Sequence, residues 1–184
     1  MDPKTTLERL AARAAEAGFD GASTPQVGEL LTVLAASRPA GRMLELGTGA
    51  GLGTACLLRG MDAAARLITV ELDPALSALA QAELCDHRVE WVVGDGGEWL
   101  SANTAGFDLV FADTWPGKFT HLDQALAAVN PGGFYVIDDL LPQQNWPDNH
   151  QAAVDDLVAD LRARSDWVTA YIDDASGVLL CVRR

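Results

Sequence analysis

Basic residues are scarce in this chain: 13 lysines and arginines stand against 26 aspartates and glutamates, a formal net charge of −13. Such a balance argues against nucleic acid as a partner, because phosphate binding needs a basic surface to displace counterions. Cysteine is scarce too. Cys56, Cys85 and Cys181 are far apart and odd in number, which indicates neither a disulfide framework nor a zinc site. No apolar run approaches the roughly 18 residues of a membrane span, and Met1-Asp2-Pro3-Lys4 lacks the basic and apolar regions of a signal peptide. No membrane partner is expected, and the chain is placed in the cytoplasm. Linkers, repeats and low-complexity tracts are also missing, so residues 1–184 are expected to form one domain.

What is present is an ordinary globular composition, 49% hydrophobic, organised around Met43-Leu44-Glu45-Leu46-Gly47-Thr48-Gly49-Ala50-Gly51-Leu52-Gly53-Thr54. A short apolar run stops at glycines and an Ala/Leu-rich segment follows at once, which predicts strand, tight turn, helix. Glycines let a ligand approach the backbone, and the opened helix presents unpaired N–H groups to it. The stretch is a candidate cofactor cradle. Its glycines fall at alternate positions, so the third glycine of a dinucleotide G-x-G-x-x-G pattern would land on Leu52. No Gly-Lys-Ser/Thr ends the turn, so a phosphate loop is disfavoured as well.

Around the cradle the alternation of strands and helices is that of a parallel sheet covered on both faces. Two helices come first, from about Thr6 to Ala17 and from Ser23 or Thr24 to about Ala36. This N-terminal part, residues 1–38, is expected to cover the site, with the sheet core in 42–184. Further strands are predicted at Leu67 to Glu71, Val89 to Val93, Phe107 to Ala112 and Phe134 to Ile137. A long helix over about Asn149 to Ala163 leads to a closing hairpin, Trp167 to Ile172 and Val178 to Val182, whose last strand is antiparallel.

Ligands of open α/β sheets gather at the carboxyl ends of the strands. Four of the five early strands carry an acid there: Glu71, Asp95, Asp113 and Asp138. Each alone could be a turn or capping residue; the set points to a site. Glu71 is placed to accept ribose hydroxyls, the Gly94-Asp95-Gly96 turn to bond an adenine edge, and Trp115 either to stack on the ring or to pack under its loop.

The E-x-G-x-G-x-G stretch resembles the first motif of class I S-adenosylmethionine-dependent methyltransferases. With Leu67 to Pro74, Val92-Val93-Gly94, Phe111 to Trp115 and Val136 to Asp139, the chain is similar to catechol O-methyltransferase and small bacterial O-methyltransferases from about Pro25 to Arg184. The resemblance implies a Rossmann-like, seven-stranded, mostly parallel sheet in the order 3-2-1-4-5-7-6. It implies S-adenosylmethionine held by Glu45, Gly47, Thr48, Gly49, Gly51, Glu71, Asp95, Gly96, Asp113 and Trp115. It further implies magnesium or another divalent cation on Asp113, Asp138 and Asp139, where Asp139 replaces the family's asparagine. Strands about 4.8 Å apart can bring such carboxyls together, and a hard cation would relieve their repulsion.

Catechol-type enzymes place a lysine directly after the Asp-x-Trp segment. Here Pro116-Gly117 intervene before Lys118, which is the candidate base together with Asp113, or else an exposed lysine at a helix start. His121 and His150 are alternative bases; His87 has no clear link to the site. Leu140 to Pro147, with Trp146, is the expected acceptor loop. The function read from this is methyl transfer from S-adenosylmethionine to a small-molecule acceptor, with a hydroxyl oxygen as the expected target. A non-catalytic module binding S-adenosylmethionine or S-adenosylhomocysteine is the alternative, and a nicotinamide-dependent oxidoreductase the third. A homodimer is left open.

Overall fold

The structure is a computed structural model that describes residues 3–143, 146–147 and 149–184. Two helices lead, α1 (Pro3–Glu16) and α2 (Pro25–Ala36). Helix α2 begins with Thr24, whose hydroxyl accepts the Val27 N–H, and with Pro25 at its first turn, where a missing N–H costs nothing. Strand β1 (Arg42–Leu46) enters helix α3 (Leu52–Gly60) through the glycine turn, and β2 (Arg66–Glu71) enters α4 (Pro74–Glu83), capped by Asp73. Then come β3 (Val89–Val93), α5 (Gly96–Ala102), β4 (Phe107–Ala112), α6 (Leu122–Ala127), β5 (Val129–Ile137), α7 (His150–Ala163), β6 (Trp167–Ile172) and β7 (Val178–Arg183).

The seven strands form one sheet in the order β3-β2-β1-β4-β5-β7-β6, as expected. Strands β1 to β5 pair in parallel, and β7 runs antiparallel to both β5 and β6. Strand order reverses between β1 and β4, so their carboxyl ends open the crevice in which such sheets bind ligands. Side chains alternate across the sheet. Leu44, Leu46, Val110, Ala112, Tyr135 and Ile137 pack with Leu100 of α5, Ala125 and Leu126 of α6, and Val154, Leu157 and Leu161 of α7. Met43, Leu67, Leu109, Phe111 and Val136 meet Leu10, Val27, Leu31 and Leu57 from α1 to α3 on the other face.

Two boundaries differ from the sequence reading. Strand β5 starts at Val129 rather than Phe134, because a register shift lets Phe107 pair with Val129 and Leu109 with Phe134. Pro131 to Gly133 thus lie inside the strand as an irregularity, not ahead of it. Helix α5 was not expected, since two glycines open it; the Asp95 carboxylate nucleates it by accepting the N–H groups of Gly97 and Glu98. No helix among the described residues is long and apolar enough to cross a membrane.

Candidate active site

Backbone pairing aligns the strand ends. The Gly47 N–H donates to the Val70 carbonyl, Asp113 N–H to Leu46 and Gly94 N–H to Glu71, so the tips of β1, β2, β3 and β4 share one edge. From there the glycine turn rises through positive φ values at Gly47 (95°), Gly49 (51°) and Gly51 (91°), a region open to glycine at little cost. A Cβ on Gly47 would stand 2.7 Å from the Asp113 carbonyl oxygen. The absence of that carbon lets the β1 and β4 ends approach.

Beneath the turn lies a network of threonines and acids. Glu45 occupies a buried strand position where alternation calls for an apolar residue. Its Oε2 accepts from the hydroxyls of Thr54 and Thr69, the latter at 2.6 Å, and Thr69 is in contact with the Thr48 hydroxyl. The other oxygen, Oε1, has no partner among the described residues. Burial pushes the Glu45 carboxyl up to about 7, against the lowering effect of its two hydroxyl donors. The alternate spacing of the glycines finds its reason here, since a Cβ on Gly53 would fall 2.5 Å from Glu45 Oε1. Glu71 pins the turn from the side: its Oε2 accepts the Gly49 N–H at 2.8 Å and its Oε1 the Asp73 N–H at 2.9 Å. Each oxygen keeps a lone pair for a further donor.

The resulting cavity, about 160 Å³, is lined by Glu45, Gly47, Thr48, Gly49, Glu71 and Asp113, with Phe19, Gly21, Ala22 and Ser23 closing it from the α1–α2 connection. It holds three acids and no base. A pyrophosphate would be repelled there, whereas a ligand carrying more positive than negative charge is attracted. S-adenosylmethionine, with a sulfonium and an ammonium against one carboxylate, is such a ligand. Phe19 and Ser23 were missed by the sequence reading, and no local signal marks them: the Phe19 ring packs on Gly49, and the Ser23 hydroxyl donates to Asp113 Oδ2 at 3.2 Å.

Gly51, Asp95, Gly96 and Trp115 do not line this cavity; Gly51 packs by Ala80 and Leu84. Asp95 serves as the α5 cap, and Gly96 packs by Pro116. Trp115 is 56% exposed and stands in a second cavity of about 260 Å³ with Phe119, Trp146 and His150. The four rings contact edge to face or tilted, with centroids 4.3 to 5.8 Å apart. Asp113, Lys118, Asp139 and Gln143 complete that wall, and Gly21, Asp113 and Thr114 belong to both cavities. Of the expected acceptor loop, Gln144 and Asn145 lie outside the described residues. His121 instead packs its ring on Gly97 of α5, and His87 is 80% exposed beside Asp86.

Lys118 is buried, not exposed at a helix start. Pro116 and Gly117 curl the chain tightly: Gly117, at φ 91°, donates its N–H to Thr120 and accepts from the Tyr135 hydroxyl. The lysine is thereby turned inward. Its Nζ donates to the Asp138 carbonyl oxygen at 2.8 Å and lies 3.6 Å from Asp113 Oδ1. Burial raises the Asp113 carboxyl well above the usual range; Lys118 opposes this, and Asp138 and Asp139 add to it.

The expected metal triad does not fit this arrangement. Asp138 Oδ1 is taken by the Ser176 hydroxyl and the Asp139 N–H, while its Oδ2 is buried with no partner among the described residues. Asp139 sits at φ 60° with its Oδ1 accepting from the Gln143 amide at 2.6 Å. Among the described residues no three His, Cys, Asp or Glu side chains form a group able to hold a metal ion. The ammonium of Lys118 stands between the tips of β4 and β5, where the cation was expected.

Comparison with known proteins agrees with this geometry. A methyltransferase-domain family model matches residues 44–140, from the strand before the cradle to the loop after β5. The catechol O-methyltransferase of Mycobacterium tuberculosis is 32% identical over 153 residues, 77% of this chain and 70% of that protein. The O-methyltransferase TomG of Streptomyces achromogenes, involved in tomaymycin synthesis and solved with S-adenosylmethionine, superposes with a TM-score of 0.84 at 28% identity, covering 97% of this chain and 89% of that one. An O-methyltransferase of Bacillus cereus shares the fold, with a TM-score of 0.85 over 98% and 91% of the two chains at 20% identity. The chain belongs to this methyltransferase family.

Proposed function

We propose that the protein transfers the methyl group of S-adenosylmethionine to a hydroxyl oxygen of a small-molecule acceptor. The observation that carries this is Asp113 as the common wall of two cavities, one acidic and glycine-rich, the other aromatic. When bound, S-adenosylmethionine supplies an electrophilic methyl carbon on a sulfonium. The chain's own part is to hold that carbon and the acceptor oxygen in line. Glu45, Gly47, Thr48, Gly49 and Glu71 would hold the cofactor, with Glu71 taking the ribose hydroxyls and Asp113 at the junction.

Trp115, Phe119, Trp146 and His150 form a wall for a flat, apolar acceptor, which moves Trp115 from the cofactor to the acceptor side. Asp113, whose burial gives it an appetite for a proton, takes the proton of the acceptor hydroxyl. Lys118 stabilises the oxygen left behind. Residues 1–38 act with the sheet core as one domain, their connecting residues Phe19 to Ser23 closing the cradle. Three free thiols, one of them exposed, support a reducing, cytoplasmic setting, and the acidic charge leaves nucleic acid without a surface to bind.

The test is incubation of the protein with labelled S-adenosylmethionine and a panel of phenols and alcohols. Label appearing as a methyl ether supports the reading. Tight cofactor binding with no methylated product across the panel would favour the binding-module alternative, for which no specific feature of the site speaks.

A further inference from the structure

Within the methyl-transfer reading, we propose that Lys118 supplies, as a tethered ammonium, the positive charge that a divalent cation was expected to bring, and that the acceptor is engaged through a single oxygen rather than chelated through two. Three features carry this. The ammonium is buried and already fixed by the Asp138 carbonyl oxygen at 2.8 Å, with Asp113 Oδ1 at 3.6 Å on a second side. An ammonium has three protons to donate, and Lys118 also lines the aromatic cavity, so its third donor direction is left for an acceptor oxygen.

The second feature is the state of the other two acids. Asp138 turns Oδ1 to Ser176 and to the Asp139 N–H, and Asp139 is engaged by Gln143. Asp138 Oδ2 is buried with no partner among the described residues, so what keeps an ion from the acids is the ammonium already seated between Asp113 and the Asp138 backbone. As they stand, the described acids form no group able to hold an ion that takes six or more oxygens. The third is how the lysine is held. The tight Pro116-Gly117 turn, closed by Gly117 N–H on the Thr120 carbonyl at 2.7 Å and by the Tyr135 hydroxyl on the Gly117 carbonyl, fixes the lysine's approach. The two residues that separate Lys118 from Trp115 are therefore the device that brings the charge in.

The consequence for chemistry is one of geometry. A divalent ion can bind two neighbouring oxygens of an acceptor at once, whereas an ammonium proton points at one. In the step itself the acceptor O–H gives its proton to the Asp113 carboxylate. The oxygen's electron pair then forms the O–C bond while the C–S pair stays on sulfur, so the sulfonium becomes a neutral thioether. Lys118 keeps its three protons throughout. Monohydroxylated aromatic acceptors should therefore be turned over as well as vicinal diols.

Manganese titration followed by electron paramagnetic resonance tests the proposal without an acceptor. The wild-type protein is expected to leave added Mn2+ free at millimolar concentrations. Lys118→Met, which keeps the length and removes the charge, should gain Mn2+ affinity at the uncompensated Asp113 with the unpartnered Asp138 Oδ2, and Lys118→Arg should not. Stoichiometric Mn2+ binding by the wild type would overturn the proposal, as would binding unaffected by Lys118→Met in a folded variant. With any acceptor that is methylated, chelator should leave the rate unchanged and Lys118→Met should lower kcat about a hundredfold; a rate abolished by chelator and restored by magnesium would also overturn it. Calorimetry with S-adenosylmethionine on the same samples separates the two levels. Cofactor binding accompanied by Mn2+ binding defeats only this inference, whereas loss of cofactor binding defeats the methyl-transfer reading.

Discussion

The two halves of the site are built differently. The floor of the cradle half is made at the β1 and β2 tips from one contiguous turn and strand-end side chains, and its two glutamates are anchored before any ligand arrives, Glu71 to Gly49 and Asp73 and Glu45 through Oε2 to Thr54 and Thr69. The acceptor half is assembled at the β4 and β5 tips from loops far apart in sequence, with four aromatic rings lining one cavity with a lysine whose inward turn is held by Tyr135 and Thr120 on Gly117 and by the Asp138 carbonyl. One half is preorganised for a fixed cofactor. The other is a surface of side chains on loops, the part that varies most easily without disturbing the sheet. Change in the first half should therefore damage folding and cofactor binding together, and change in the second should alter turnover or acceptor use alone.

The largest effect expected from breaking this division is at Gly47. Gly47→Ala would put a methyl group 2.7 Å from the Asp113 carbonyl oxygen at a φ of 95°, which should cost about 3 kcal/mol of stability and remove cofactor binding. Thermal denaturation and calorimetry on the same sample check both. A loss of binding with unchanged stability would separate two properties that this half is argued to join.

Next is the pH dependence of stability, which comes from Glu45. Its folded value of about 7 lies above the ordinary 4.5, so the neutral acid favours the folded state. That stability is full below about pH 4.5 and is lost as pH rises through about 7, an effect of about 2 kcal/mol between pH 5 and 8 at one pKa unit per 1.36 kcal/mol. Denaturant titration across that range should show the ligand-free protein weakening. Glu45→Gln, neutral at every pH, should flatten the Glu45 contribution, and an unchanged slope would contradict it.

Smaller again is Glu71→Ala. It removes both the proposed ribose acceptor and the Gly49 anchor, and should weaken S-adenosylmethionine binding about tenfold or more, the equivalent of one or two charge-assisted hydrogen bonds. Smallest is Trp115→Ala, which should raise the acceptor KM by about fivefold through lost aromatic contact. Cofactor affinity should stay within experimental error. A Trp115→Ala protein that loses cofactor affinity instead would return the indole to the cofactor side.

This division also explains what the sequence disclosed. The cradle and its acids were readable because they are local: an apolar run, glycines where φ must be positive, an acid at the next strand end; the strand order came only with the family resemblance. Thr24 was legible as a helix start for the same reason. Helix α5 was missed because Gly96 and Gly97 are poor helix formers, although Asp95 followed three residues later by Glu98 has the form of a capping box and could have marked it. The inward turn of Lys118 depends on Tyr135, 17 positions further along by their residue numbers, and on the depth of the β4 end. The position of Trp115 beside His150 depends on a helix that starts 35 positions later. Such contacts have no signature in spacing. The partners of the expected metal triad were equally hidden: Asp138 Oδ1 and Asp139 Oδ1 are engaged by Ser176 and Gln143, which lie outside the motifs that the resemblance matched.

Whether the acidic glycine cradle is built for a cationic nucleoside cofactor is decided by calorimetric titration of the protein with S-adenosylmethionine and, in parallel, with NAD. One S-adenosylmethionine is expected to bind per chain, with no heat from NAD. Binding of NAD, or of neither ligand, would contradict that reading of the cradle.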